Sequence, residues 1–178
     1  MTLDYEKFKA QAQEFISISE KLNDAWLIRT LKNKEQEIYL EKRIVKANLE
    51  TNENNTSPDQ DEHIDPNLTT FVYHIVYSQS YSVPVLYFNA HFQNGKSLKL
   101  EEVWALVPNC YTTNSTTKWE MITQQEHPKL GIPCFGIHPC HTKDLVLPCS
   151  TSNYLITWLS VVGPVVGLSL PLEYAKYT

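Results

Sequence analysis

The chain has 178 residues, of which 42% are hydrophobic and 20% charged, with a formal net charge of -5. These values are typical of one soluble globular domain, which we expect to span residues 1–178. Residues 50–67 hold six carboxylates and no Lys or Arg, so subtracting -6 from -5 leaves +1 for the rest of the chain. A nearly neutral remainder lacks the basic face that neutralises phosphates, which excludes a nucleic-acid binder.

Four cysteines are present: Cys110, Cys134, Cys140 and Cys149. The N-terminal residues lack the basic and then apolar pattern of a secretory signal. We therefore expect a reducing, cytoplasmic location, where cysteines are free, metal-bound or catalytic. A disulfide framework of a secreted protein is the alternative.

The first predicted elements are a helix and two strands. Apolar residues recur at helical spacing over residues 3–22, with Thr2 as the expected N-cap. Residues 25–31 and 37–49 are rich in Trp, Ile, Val and Tyr, which predicts two strands. The polar residues 32–35 fit the turn between them.

An acidic, flexible loop is expected next, at about residues 50–67, because this segment is almost free of apolar residues. Two aromatic and β-branched runs follow, at 71–78 and 83–92, and both predict strands. Asn94-Gly95 is typical of the turn that closes the second of them.

The C-terminal half gives weaker patterns. Ser97 is expected to cap a short helix, and residues 109–118 form a polar loop. From Trp119 onward, closely spaced prolines predict irregular structure. A last helix is expected over residues 153–162, with Ser152 as its cap.

The apolar run 155–172 is nearly long enough to cross a bilayer, so a membrane span is an alternative for it. Gly163-Pro164 interrupts the run and favours a buried helix followed by a bend. Separate runs of strands and helices predict an α+β fold, an antiparallel sheet of about four strands flanked by N- and C-terminal helices.

The densest group of reactive side chains lies between Cys134 and Thr142, where Cys140 stands between His138 and His141. A thiol in such a setting is a candidate nucleophile, because neighbouring histidines favour the thiolate. A zinc site is a second interpretation, although the segment contains no clean pair of ligand spacings. A buried structural cysteine is the third.

A resemblance favours the first interpretation. His127-Pro128-Lys129-Leu130, Pro133 and Ile137-His138-Pro139-Cys140 resemble the active-site stretch of the autophagy E2-like enzymes. The tail from Tyr154 to Tyr174 and the stretch from Ile122 to Leu130 resemble one branch of that family, rather than the autophagy-related protein 3 branch.

The resemblance implies an E2-like (UBC-like) core with Cys140 as the nucleophile, which carries a ubiquitin-like modifier as a thioester. It implies that autophagy-related protein 7, an E1-like enzyme, delivers the modifier autophagy-related protein 12, which passes to a lysine of autophagy-related protein 5. The chemistry needs no cofactor or metal on this chain and no separate E3.

The chain departs from the E2 pattern at one position. E2 enzymes place His-Pro-Asn before the cysteine, and the asparagine amide is the oxyanion donor, whereas here Lys129 follows His127-Pro128. Asn114 is our candidate to replace that asparagine, either as the oxyanion donor or as a residue that positions the lysine. A local loop turn is the alternative role for Asn114. His138 is a candidate active-site support. The rival functions are a non-catalytic E2-like adaptor and a thiol hydrolase.

Overall fold

The computed structural model describes residues 3–31, 34–47, 68–108, 121–139 and 152–178. Several sequence-based expectations therefore lie outside the described residues. These are the acidic loop at 50–67, the polar loop at 109–118 with Asn114, and Cys140 itself.

One antiparallel sheet of six strands forms the centre of the described fold. Its strands are β1 (Leu27–Leu31), β2 (Lys34–Ala47), β3 (Leu68–Ser78), β4 (Val83–Phe92), β5 (Ile122–Glu126) and β6 (Pro133–Ile137). Three helices accompany them: α1 (Tyr5–Lys21), α2 (Leu100–Ala105) and α3 (Tyr154–Val162). The α+β class with flanking helices is confirmed, but the sheet has six strands instead of four.

The additional strands, β5 and β6, lie in the segment that the prolines led us to expect as irregular. The two strands pair from Ile122 opposite Ile137 to Glu126 opposite Pro133. Pro128 stands in the connecting loop and Pro133 at the first residue of β6, positions where a strand tolerates proline. The hairpin adds to β4 through β6, which gives the strand order β1-β2-β3-β4-β6-β5.

The start of α1 differs from the expectation of a Thr2 cap. The Asp4 carboxylate accepts a hydrogen bond from the Lys7 backbone N–H at 2.8 Å and is the N-cap. Leu3 is held outside the helix, because its N–H donates to the Ser82 carbonyl at 3.0 Å and its carbonyl accepts from the Tyr77 hydroxyl at 2.6 Å. The helix can therefore begin only after Leu3.

The caps of the other two helices were also predicted wrongly. Lys99, not Ser97, occupies the N-cap of α2, and its N–H donates to the Glu102 carboxylate at 2.6 Å. Asn153, not Ser152, caps α3, because its side-chain oxygen accepts from the Leu155 N–H at 3.0 Å. The Asn153 amide also donates to the Gln11 carbonyl at 3.0 Å, which joins α3 to α1.

The three helices cover one side of the sheet, which we call the first face. Alternate strand residues point to it because strand side chains alternate between the two faces. The buried side chains include Leu40, Ile75 and Leu86 of the sheet and Phe8, Phe15, Trp104 and Trp158 of the helices. Full burial of large side chains of this kind contributes roughly 1.5–3 kcal/mol each to folding.

The apolar C-terminal run bends as the sequence predicted. α3 ends at Val162, and a 3₁₀ helix, Gly163–Val166, follows directly. A Cβ at Gly163 would lie 2.4 Å from the Leu168 carbonyl oxygen, so only glycine fits this bend. Among the described residues no helix is both long and apolar enough to cross a membrane.

A buried ion pair joins β2 to the α1–β1 connection. Lys42 donates to the Asp24 carboxylate, and both side chains are less than 10% exposed. Asp24 also accepts from the Tyr174 hydroxyl at 3.0 Å, and the Lys42 ammonium lies 5.7 Å from the centre of the Trp26 ring. The pair therefore holds the C-terminal 3₁₀ helix, Leu172–Tyr177, against the rest of the fold.

Substitution Lys42→Met should destabilise the protein by about 3 kcal/mol, because it leaves the Asp24 carboxylate buried without its cation. The matched control is Lys7→Met, which removes a surface pair with Asp4 and should cost less than about 1 kcal/mol. Urea unfolding followed by circular dichroism measures both. Equal effects of the two substitutions would contradict the role given to the buried pair.

Candidate active site

The segment that leads to Cys140 leaves the sheet beside the β3–β4 turn. His138 follows β6, and its backbone N–H donates to the Met121 carbonyl at 3.0 Å. The His138 ring is half-buried and meets the Tyr81 ring edge-on, with ring centres 5.8 Å apart. Pro139 is buried and is the last described residue before Cys140. We call His138 and Pro139 the exit segment.

Tyr81 is placed by a tight turn. Ser82 has φ of 54°, a left-handed conformation that costs a non-glycine residue about 1 kcal/mol. The Ser82 N–H donates to the Ser78 carbonyl at 2.8 Å, and the Ser82 carbonyl accepts from Leu3. These two hydrogen bonds hold the turn, so the Tyr81 ring, which is 41% exposed, has a fixed position beside His138.

A chain of polar side chains crosses the opposite side of the sheet, which we call the second face. We name Arg29, Glu41, His74 and His127 the histidine relay. Arg29 donates to one Glu41 oxygen through Nε at 3.2 Å and Nη2 at 2.8 Å. His74 Nε2 lies 3.3 Å from the other Glu41 oxygen, and His74 Nδ1 lies 3.1 Å from His127 Nε2. The relay runs from the surface at Arg29 to His127, which is 1% exposed.

Geometry fixes where the protons of the relay sit. His127 Nδ1 accepts from the backbone N–H groups of Lys129 and Leu130, both at 3.2 Å, so this nitrogen carries no proton. The proton of a neutral His127 is then on Nε2, which donates to His74 Nδ1. His74 must in turn carry its proton on Nε2 and donate it to Glu41. Each ring has one tautomer, and every ring nitrogen is paired.

Electrostatics agrees with this arrangement. Burial, and after it the nearby His74 and Lys129, lower the pKa of His127 to about 4. Burial also lowers the pKa of His74 against the opposing effect of Glu41. For Glu41, burial acts to raise the pKa, but hydrogen bonds and charge from Arg29, with His74, hold it below its usual value. At neutral pH the relay therefore holds two neutral imidazoles between a carboxylate and backbone amides.

Cys134 lies on the same face and is structural. It is 2% exposed and packs with Tyr39, Val76, Val85 and Tyr87. Burial raises the pKa of its thiol to about 11, so the thiol stays protonated and is a poor nucleophile. Within the described ranges no three His, Cys, Asp or Glu side chains could hold a metal ion together.

The structure tests only part of the predicted site. It places His138 at the end of β6, whereas Cys140 and Asn114 lie outside the described residues. Sequence reasoning missed Tyr81 and the relay residues Glu41 and His74. One signal was present, since His74 interrupts the otherwise apolar and aromatic run of β3. A polar residue inside a buried strand needs a partner, and here the partners come from distant parts of the chain.

The family of the chain is shown by a sequence comparison. The model of the family described as "Autophagocytosis associated protein, active-site domain" matches residues 7–173. The chain belongs to this family. The match covers all six strands, α2, α3 and α1 from its third residue onward.

Similar proteins from several eukaryotes carry the name "Ubiquitin-like-conjugating enzyme ATG10". The human protein is 49% identical over 117 residues, 61% of this chain and 53% of its own length. The Arabidopsis thaliana protein is 45% identical over 113 residues, 57% and 50% of the two chains. The Dictyostelium discoideum protein is 36% identical over 124 residues, which are 60% of this chain and 54% of its own length.

The chain thus spans about half the length of the curated relatives it matches. Their names confirm the resemblance to the autophagy E2-like enzymes and the branch indicated by the tail, that of autophagy-related protein 10.

The relay predicts a stability that depends on pH. Since the pKa of His127 is about 4 in the fold and near 6.5 in an unfolded chain, the unfolded state binds this proton first on acidification. Neutral His127 should therefore contribute about 3 kcal/mol to the free energy of unfolding. This contribution should be complete above pH 6.5 and lost progressively down to pH 4. Urea unfolding between pH 7.5 and 4.5 measures it.

The variant His127→Phe should lose most of this dependence, because phenylalanine does not titrate. His91→Gln, which changes a half-buried histidine of β4 outside the relay, is the control and should keep the wild-type slope. A His127→Phe protein with an unchanged slope would show that other groups cause the acid loss.

Proposed function

We propose that the protein is an E2-like conjugating enzyme that carries a ubiquitin-like modifier as a thioester on Cys140 and transfers it to a lysine amine. The observation that carries the proposal is the match of residues 7–173 to an active-site domain in which His138-Pro139-Cys140 follows β6. The relatives' name, ubiquitin-like-conjugating enzyme, supports the same reaction class.

The first transfer exchanges one thioester for another. The Cys140 thiolate attacks the carbonyl carbon of the modifier's C-terminus, which is held as a thioester on the E1-like enzyme. The new carbon–sulfur bond forms as the E1 thiolate leaves, so charge and atoms balance without a metal or nucleotide on this chain. The resemblance supports autophagy-related protein 7 as the E1-like partner and autophagy-related protein 12 as the modifier.

The second transfer makes an isopeptide bond. A neutral lysine amine of the acceptor, for which the resemblance supports autophagy-related protein 5, attacks the Cys140 thioester. The amine loses a proton, the Cys140 thiolate leaves, and the negative oxygen of the intermediate needs a hydrogen-bond donor. We propose Asn114 for that donor or for lysine positioning.

His138 has a supporting role in this proposal. Its ring packs on Tyr81 and its N–H is held by Met121, so it fixes the direction in which the chain continues to Cys140. Placing the reacting groups in this way is a large part of what an enzyme with no cofactor can contribute. The Tyr81 ring beside His138 is 41% exposed, and we propose that it contacts the incoming lysine side chain.

The nucleophile is tested by Cys140→Ser. With E1-like enzyme, ATP and modifier, the wild type should give a band on a non-reducing gel that a thiol reductant removes. Cys140→Ser should form a slower adduct that resists the reductant, because an alkoxide is a poorer leaving group than a thiolate. Cys110→Ser and Cys149→Ser are matched controls and should charge normally.

Two results would count against the proposal. A thiol-labile band that persists in Cys140→Ser means that another cysteine is acylated. Tight binding of the modifier without any covalent band in the wild type favours the non-catalytic adaptor instead.

Asn114 is tested in the second transfer alone. Loss of an oxyanion donor typically costs about 3 kcal/mol, or roughly a hundredfold in rate. Asn114→Ala should therefore charge nearly normally but discharge slowly to the acceptor. Asn114→Asp should be similarly slow, because a carboxylate cannot donate to the oxyanion and repels its charge.

The measurement is a pulse-chase in which the enzyme is charged, the E1-like enzyme is quenched and acceptor is added. Normal discharge by Asn114→Ala removes this residue from the mechanism. Asn109→Ala is the comparison variant, since it changes another asparagine of the same sequence segment.

A further inference from the structure

His74 is a buried titratable group for which the proposed chemistry has no direct use, since it lies in the middle of β3. It is 5% exposed and paired on both sides, with Glu41 and with His127. Through His127 it holds the loop of the β5–β6 hairpin over the second face of the sheet. The same hairpin ends in the exit segment that leads to Cys140.

We propose that His74 is a positioning residue for transfer at Cys140, acting through His127 and Tyr87 to fix Tyr81 and the exit segment. The predicted effect of His74 on the transfer rate rests on the proposed function. The predicted effect of His74 on the positions of Tyr81 and His138 does not depend on it.

The contacts from His74 to the exit segment are continuous. The His74 and His127 rings meet edge-on with centres 4.9 Å apart, and His127 lies 5.2 Å from the Tyr87 ring. Tyr87 pairs with Gly136 of β6, two residues before His138. His138 in turn meets the Tyr81 ring edge-on, with ring centres 5.8 Å apart.

Gly136 makes the close approach possible. A Cβ at this position would lie 3.1 Å from the Tyr87 ring and 2.3 Å from the Gln125 amide nitrogen. β6 is therefore packed directly on Tyr87, and a shift of the Tyr87 ring displaces β6. Because packed interiors deform little, the position of the relay is passed on to the exit segment.

The hydrogen bonds of the relay have a direction that an apolar contact would lack. His127 points its Nε2 proton at His74 only while His74 Nδ1 is free of a proton. Protonation of His74 would set two N–H groups against each other, and His127 cannot turn away, because its Nδ1 already accepts from Lys129 and Leu130. Acid should therefore break the His127–His74 hydrogen bond and loosen the β5–β6 loop from the second face, while the packing on the first face of the sheet is retained.

Charged and titratable groups face the two imidazoles from every neighbouring element. They are Arg29 of β1, Glu41 and Tyr39 of β2, Tyr87 of β4, Cys134 of β6 and Lys129 of the hairpin loop. Lys129 is itself paired with Glu37. Among the residues that the structure describes, Glu41 is the one carboxylate paired with His74, and Arg29 neutralises it, so these groups do not favour an imidazolium.

Two substitutions of His74 test the proposal. His74→Phe keeps a ring of similar size and removes both hydrogen bonds. His74→Asn keeps an acceptor at the position of Nδ1 for His127 but does not titrate. His91→Asn, in β4 and outside the relay, is the control.

The rate readout is discharge of preformed Cys140 thioester to acceptor, measured from pH 7.5 to 5.5. His74→Phe should be roughly tenfold slower than wild type at pH 7.5, as expected for a small misplacement of reacting groups. His74→Asn should lie within about twofold of wild type at pH 7.5. Its rate relative to wild type should rise as the pH falls, because only the wild-type His74 can gain a proton and the ratio cancels titration of the amine.

The structural readout needs no modifier or partner. A nuclear Overhauser contact between the Tyr81 and His138 rings should be seen in the wild type and in His91→Asn, and should be lost in folded His74→Phe. As the pH is lowered, it should also weaken in the wild type but not in His74→Asn.

The outcomes separate this inference from the proposed function. If the wild type never forms a thioester, the proposed function fails and the ring contact alone decides the role of His74. If His74→Phe does not fold, the pH dependence of His74→Asn decides. A retained ring contact with normal discharge in His74→Phe, or a flat rate ratio in His74→Asn, overturns the proposal.

Discussion

The described structure depends on how the buried His127 is satisfied. A histidine that is 1% exposed must find a partner for each ring nitrogen, and an unpaired one would cost about 1–3 kcal/mol. Two backbone N–H groups of its own loop donate to one ring nitrogen, and the other ring nitrogen is hydrogen-bonded to His74 of a central strand. This requirement folds the β5–β6 loop back over the sheet, and β6 and the exit segment follow from it.

The two faces of the sheet are therefore stabilised by different kinds of interaction. The first face is closed by helices and large apolar side chains, whose packing is non-directional and sets the overall stability. The second face is closed by a polar, oriented network and a few aromatic rings beside it. An oriented network specifies one arrangement more sharply than apolar packing does, and the hairpin that it holds ends in the exit segment.

Much of this fold could be predicted from sequence, because α1 and β3 and β4 have strong local periodicity. β5 and β6 could not, since β5 has a single buried residue, Ile122, and its partner β6 begins with a proline. The caps at Thr2, Ser97 and Ser152 were chosen on residue type, whereas tertiary contacts such as that of Leu3 with Ser82 moved the helix starts. His138 was found through a local motif, but Tyr81 and His74 become neighbours of the site only through strand pairing.

The β5–β6 hairpin at the end of the sheet also affects whether strands of other chains can pair with the sheet. Because β6 pairs with β4, β5 is an edge strand, and edge strands can add strands from another chain and so promote aggregation. β5 has only five residues, and three of them, Gln124, Gln125 and Glu126, are exposed and polar. Pro128 lies two residues beyond Glu126, and its missing N–H disfavours lengthening of the strand at that end. This short polar border protects against fibrillar association while an aromatic-rich sheet lies behind it.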